Sequence, residues 1–392
     1  MRAVVRSCHQ SAPSFDDSRG KFASNRGPMK IGVIASVAHR TPPKNYGPWE
    51  QIASTLAEGF VARGHEVTLF ATADSETSAR LAGPVASGYE ENADSDAKVD
   101  EALHNSTVFE HAGDFDVLAN HFDFMPLTYS RLVSTPMVTT VHGFSSPKIV
   151  PVYRAFSDIA HYVAISDANR HPDLPYAATI HHGIDLEEFT FRPGHGEYLL
   201  FLGRIHPEKG THLAIEVARL AGLPLIIAGV IQDQEYFRAE VEPHLGGAAV
   251  SYVGPVGPAQ RDELLGGARA LLHLIAFAEP FGLSVVESLA TGTPVIATPL
   301  GSMSEIIRDG STGYLVTDVA AAVAAVAEIG ALDRRSCRDD VETRFTADRM
   351  IDAYLTLFER IVRLPRRPIR QAAPTPLPQA VGSPGLFSRA DR

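Results

Sequence analysis

From Met29 onward, apolar and polar positions alternate in blocks. Residues 30–37 (Lys-Ile-Gly-Val-Ile-Ala-Ser-Val) form a short apolar run of the buried-strand type. A loop of turn residues fills 38–48. Residues 49–64 then predict a helix, because Ile52, Leu56 and Phe60 recur every fourth position and Gly64 sits where a C-terminal cap belongs. A strand at 65–71 completes a βαβ unit, which requires parallel pairing. Further strand-like runs lie at 117–120, 137–141 and 162–165.

A second series begins at 198–203. It continues through a helix at 211–220, strands at 223–230 and 250–253, a helix at 259–268 and a strand at 271–275. Helix, strand, helix and helix follow at 283–291, 294–298, 303–308 and 319–329. Two successive βαβ series predict an α/β chain of two doubly wound, Rossmann-like domains. The polar stretch 186–197, with Pro193 and two glycines, marks the join. The expected boundaries are a first domain at 29–188, a second at 189–345, and a helix at 346–364. That helix carries Met350, Ala353, Tyr354, Leu357, Phe358 and Ile361 on one face. Residues 1–28 and 365–392 carry too little apolar surface to fold alone and are expected to be disordered. Ligands of such sheets sit beyond the strands' carboxyl ends, so the crevice between the domains is the expected site.

Charge narrows the function. The chain of 392 residues has net charge −11, with five basic against two acidic residues at 1–28 and five against one at 365–392. Residues 29–364 therefore carry −18, which would repel a phosphate backbone, so a nucleic-acid partner is excluded. No run of eighteen apolar residues occurs, so no membrane span is expected. Peripheral contact through Arg360, Arg363, Arg366, Arg367 and Arg370 is the most the sequence allows. The N-terminus lacks an apolar core of the secretory type, and Cys8 and Cys337 are the only cysteines. A disulfide framework and cysteine-rich zinc sites are excluded, and a reducing cytoplasm is expected.

Four segments carry candidate chemistry. In the first, Glu279 and Glu287 flank Pro280-Phe281-Gly282-Leu283-Ser284 at the start of a helix. The first-turn N–H groups of that helix form an anion site. Glu287 falls in a sequence apolar enough to be buried, where sugar or ribose hydroxyls would partner it. Spacing alone says nothing: Glu50/Glu58, Glu58/Glu66 and Glu208/Glu216 share it and read as solvated faces. In the second, Arg204 and Lys209 flank Pro207 directly after a strand end, two cations suited to a diphosphate, or else a loop ion pair to Glu208. In the third, Gly47 in Tyr46-Gly47-Pro48-Trp49-Glu50 would let backbone approach a phosphate, or else belongs to a proline-stiffened turn. In the fourth, His142 stands just past a strand end. The other histidines, His181 and His182 included, show no second coordinating cluster, and the acidic pairs Asp94/Asp96 and Asp339/Asp340 read as exposed. No G-x-G-x-x-G, Walker, H-E-x-x-H or G-x-S-x-G motif occurs.

Together these segments resemble the retaining glycosyltransferases of family 4, which have the GT-B architecture. The resemblance covers residues 29 to about 364 and is most specific over Glu279-x7-Glu287, Gly282 and Gly292-Thr293-Pro294-Val295. Arg204, Lys209, the segment 181–185 (His-His-Gly-Ile-Asp) and Gly64-His65-Glu66-Val67 agree with it. It implies that Arg204 and Lys209 hold the donor diphosphate, that Glu279 contacts the donor sugar and that Glu287 holds the ribose. It implies that His142 lines the sugar pocket, with Gly47, Phe281, Gly282 and Leu283 completing donor binding. It also implies that the last helix crosses back to the first domain, which takes the acceptor. The family commonly has Gly-Gly where this chain has Gly47-Pro48, and Pro48 has no N–H to give a phosphate.

The expected function is transfer of a hexosyl group from a UDP- or GDP-linked sugar to an acceptor hydroxyl, with retention. No metal or cofactor is called for, since Arg204, Lys209 and the helix start meet the charge of the leaving group. The acceptor is open: a saccharide, a lipid or a small molecule. Two alternatives bind the same donor, a sugar-nucleotide epimerase and a non-catalytic nucleotide-sugar binding protein. A glucan phosphorylase-type enzyme would need a pyridoxal-phosphate lysine, for which no residue stands out.

Overall fold

The computed structural model describes residues 27–366 except 145 and 248. The expectations for both tails, and for Arg367 and Arg370, lie almost entirely outside these residues. Within them the chain forms two parallel sheets. The first comprises β1 (Lys30–Ile34), β2 (Glu66–Phe70), β3 (Arg80–Ala82), β4 (Val117–Asn120), β5 (Met137–Val141), β6 (His161–Ala164) and β7 (Tyr176–Thr179), in the order β3-β2-β1-β4-β5-β6-β7. The second comprises β8 (Tyr198–Leu202), β9 (Leu225–Ala228), β10 (Val250–Tyr252), β11 (Ala268–His273), β12 (Val295–Ala297) and β13 (Gly313–Leu315), in the order β10-β9-β8-β11-β12-β13. Both sheets start in the middle and wind outward, the doubly wound arrangement that parallel crossovers dictate.

The crossover helices are α1 (Pro48–Ala62), α2 (Ala97–Glu110), α3 (Val150–Phe156), α4 (Thr211–Ala221), α5 (Pro258–Gly267), α6 (Leu283–Ala290) and α7 (Val319–Glu328). After them come α8 (Arg334–Arg344) and α9 (Ala347–Val362). Periodicity did not reveal β3, β7, β13, α2, α3 or α8. The three strands are three or four residues long and only partly buried, apart from Gly313. Helix α2 buries only His104, Asn105 and Val108, too few to make an apolar stripe.

Helix α9 crosses back to the first domain. Tyr354, Leu357, Phe358 and Ile361 are buried in the same core as Ile52, Leu56 and Phe60 of α1, each contributing about 1.5–3 kcal/mol. The Phe60 and Phe358 rings meet edge to face at 5.5 Å. The Tyr354 hydroxyl lies 2.7 Å from Thr140 Oγ1 on β5, and Arg63 binds both Asp348 and Asp352. The domains also touch near the crevice. Ser166 donates to the Pro280 carbonyl, and the Glu305 carboxylate accepts from the Asp167 and Ala168 N–H groups.

Several readings are corrected by packing. Glu50 is not on a solvated face: it is 3% exposed, in the first turn of α1. Asp340 is buried too, held by Arg308 at 2.6 Å and Arg344 at 2.8 Å, and Asp96 caps α2. Three arginines of the expected basic cluster lie among the described residues, and each has a protein partner. Arg360 donates to the Ala177 carbonyl, Arg363 lies near Glu359, and Arg366 lies against Phe115 and Asp116. No helix among the described residues is long and apolar enough to cross a membrane.

Candidate functional site

A cavity of about 970 Å³ lies between the sheets, at the carboxyl ends of their strands. All nine residues singled out in the sequence line it: Gly47, His142, Arg204, Lys209, Glu279, Phe281, Gly282, Leu283 and Glu287. Their origin is topological. The loop after β1 brings Gly47, the end of β5 brings His142, and the turn after β8 brings Arg204 and Lys209; the loop between β11 and α6 brings Glu279, Phe281 and Gly282, and α6 itself brings Leu283 and Glu287.

The second domain supplies the charge. Lys209 ends a single 3-10 turn, and its ammonium does not pair with adjacent Glu208. It lies 2.6 Å from Glu279 Oε2 and 4.6 Å from the centre of the Phe277 ring. His273, at the end of β11, places Nε2 3.4 Å from the same carboxylate oxygen. Burial opposes ionisation of Glu279, but His273 and the Lys209 ammonium outweigh it and hold the carboxyl at about 2. Arg204 is hydrogen-bonded to Gln232, so the two cations are turned to separate protein partners. Sequence spacing gave no sign of His273 or Gln232, which come from other strand ends.

Gly282 caps α6 with φ of 92°, a left-handed conformation that glycine adopts without strain, and a Cβ there would meet Met303 Cε at 2.8 Å. Val285 and Val286 both donate to the Gly282 carbonyl. The Leu283 and Ser284 N–H groups ahead of them have no intrahelical acceptor, as the first N–H groups of a helix do not. Glu287 follows one turn on, 8% exposed, with Arg261 Nη1 3.3 Å from its Oε1. Burial pushes its carboxyl up, and the Arg261 guanidinium opposes that. The buried carboxylate therefore has a protein partner, from α5, as well as its place on the cavity wall.

The first domain contributes differently. Gly47 is the N-cap of α1 with φ of 154°, and a Cβ there would crowd Pro43 and the Glu50 carboxylate at 2.8 and 2.9 Å. Pro48 occupies the first helical position, where an N–H would lack an intrahelical acceptor, so the helix accepts it without loss. Tyr46 of the same loop feels the charges of Arg204 and Glu279 across the cavity, although burial dominates the upward displacement of its hydroxyl.

His142 is one of three imidazoles in a row, a cluster that the sequence reading missed. His121 Nδ1 lies 3.1 Å from His142 Nε2, and His142 Nδ1 lies 3.3 Å from His182 Nε2. Burial lowers all three, to about 3 for His121 and His182, so the row is neutral. Both ring nitrogens of His142 are thus committed to other histidines, and Trp49 stacks on the ring at 5.3 Å and 21°. The row is not a metal centre: no group of three or more such side chains among the described residues could hold an ion.

Residues 185–339 match the family model described as Glycosyl transferases group 1. The chain is 32% identical over 218 residues to the glycogen synthase of Mycobacterium tuberculosis, covering 52% of each protein, so it spans about half the length of that relative. It is 24% identical over 377 residues to the O-antigen chain mannosyltransferase C of Escherichia coli, covering 82% of this chain and 96% of that one. Among solved structures, Anabaena HepE in complex with UDP and glucose superposes with a TM-score of 0.67 at 17% identity, covering 86% of this chain and all of the other. The chain thus shares the GT-B fold over both domains, and its second domain matches the glycosyl transferases group 1 model over residues 185–339.

Proposed function

We propose that the chain moves a hexosyl group from a nucleoside-diphosphate sugar, UDP- or GDP-linked, to an acceptor hydroxyl, retaining the anomeric configuration. In that transfer the acceptor oxygen forms a bond to the anomeric carbon and the bond from that carbon to the diphosphate oxygen breaks. The acceptor's proton ends on the departing diphosphate. Charge therefore grows on the diphosphate, and groups aimed at it stabilise the transition state more than the ground state.

One observation carries the reading. Arg204, Lys209 and the open start of α6 line one cavity, beside the buried carboxylates Glu279 and Glu287. In this reading Arg204 and Lys209 exchange their protein partners for phosphate oxygens, Glu279 meets the donor sugar, and Glu287 accepts from ribose hydroxyls. The cations and helix N–H groups supply the positive charge that a metal would otherwise bring. His142 contributes to the sugar pocket through its ring and backbone, since both nitrogens are taken. The UDP held by the Anabaena protein and the hexose transferases named among the relatives support the donor class. A thermal-shift screen of UDP, GDP, ADP and their sugars tests it, because ligands that bind only the folded state raise its stability in proportion to affinity. No shift with any of them, and no turnover of their sugars, refutes it.

A further inference from the structure

The two halves of the cavity differ in chemistry. All three acidic residues lining it, Glu208, Glu279 and Glu287, come from the second domain, as do Arg204, Lys209 and Arg261. Among the described residues, the first domain lines it with no carboxylate and with two cations, Lys44 and Arg170. Arg170 is already occupied, donating to Thr179 and lying over the Tyr176 ring. Besides the exposed Lys44, that wall is aromatic and amide: Tyr46, Trp49 and Phe144, with Gln51 and Asn169.

Trp49 is the sole tryptophan of the chain. His142 covers one of its faces, and His142 is itself pinned at both nitrogens by His121 and His182. No other ring packs on Trp49 among the described residues, and it lines the cavity while only half-buried. Three neutral buried imidazoles thus stiffen a flat aromatic surface that faces the donor charges. The aliphatic side chains on this wall are Ile165 and Ala168, with the rings of Pro43, Pro48 and Pro172. A pyranose matches such a wall: its C–H face lies on an aromatic ring while its hydroxyl rim meets amides.

We infer that Trp49 is the platform of the acceptor subsite and that the acceptor lays a sugar ring on it. The inference rests on the transferase reading above and adds the acceptor's class. His121, His142 and His182 are positioning residues for Trp49.

The single tryptophan makes the test direct. With the protein saturated by the nucleoside diphosphate that shifts its melting temperature most, Trp49 emission is titrated with methyl glucosides, methyl mannosides, maltose and cellobiose. A saturable change with at least one of these is expected, and none with vesicles of phosphatidylcholine and phosphatidylinositol. Trp49→Ala raises the acceptor KM roughly 10- to 100-fold, the range for losing one well-covered aromatic contact, and leaves nucleotide affinity unchanged. Trp49→Phe, which keeps a ring, recovers most of the loss. Silence toward every saccharide, a response to the lipid alone, or a Trp49→Ala defect confined to nucleotide affinity overturns the inference. Absence of nucleotide binding by the unaltered protein instead overturns the transferase reading itself, so the two failures are distinct.

Discussion

Replacing Lys209 by alanine acts on two things at once, and the structure separates them. The ammonium sits 2.6 Å from Glu279 Oε2, and both side chains are well covered, at 14% and 13% exposure. Holding the Glu279 carboxyl at about 2 instead of 4.5 corresponds to about 3 kcal/mol of folding stability. Because the folded value lies below the unfolded one, that contribution is fully present above pH 4.5 and is lost as pH falls toward 2. Lys209→Ala forfeits part of it, since His273 remains 3.4 Å from the same oxygen and still favours the charge. The expected cost at pH 7 is about 1–3 kcal/mol, and stability becomes flatter below pH 4.5. The catalytic effect is separate. Removing one donor to developing negative charge costs about 3–4 kcal/mol, two to three decades in kcat. Denaturant unfolding and donor-saturated initial rates are measured on Lys209→Ala and on Lys209→Ala with Glu279→Gln. The double variant carries no unpaired buried charge, so it recovers stability but not turnover. A folded Lys209→Ala with the kcat of the unaltered protein refutes the role assigned to this loop, and the main electrostatic argument for the reaction goes with it.

Glu287→Ala is expected to raise the donor KM with a smaller fall in kcat, because ribose hydroxyls change little during transfer; steady-state kinetics showing the reverse split would move Glu287 into the chemistry. Transfer activity is expected to persist in excess EDTA, and loss restored by Mn²⁺ or Mg²⁺ would contradict the role given to Arg204, Lys209 and the α6 start. His104, held at about 4, and His121 and His182, held at about 3, are neutral when folded and take up protons near 6.5 when unfolded. Stability is therefore expected to decline as pH falls below 6.5, by about 1.4 kcal/mol per pH unit for each such histidine; urea midpoints that stay level between pH 6.5 and 5 would show that the imidazoles are charged or exposed.

The start of α6 was legible because everything it needs is local. A proline stops the preceding segment, a glycine takes the left-handed cap, and a helix start leaves its own N–H groups open, all within Glu279–Glu287. The two-domain α/β plan was legible for a similar reason, since parallel strands buried on both faces read as short apolar runs between amphipathic helices. Partnerships across the fold were not legible. Glu50/Glu58 and Glu279/Glu287 have the same eight-residue spacing, and Glu50 proved to be buried although nothing next to it in sequence says so. Its burial depends on how α1 sits against the loop after β1. Arg261 reaches Glu287 from a different helix, and His273 reaches Glu279 from the end of β11. The row of His121, His142 and His182 joins two strand ends to the segment leading into the second domain. Local sequence determines which backbone conformation each segment prefers and which face is apolar. Which side chains meet is set by sheet order and strand register, because parallel crossovers bring together residues far apart in the chain. Here that decided whether a carboxylate faced water or an arginine, and whether a histidine had a nitrogen to spare.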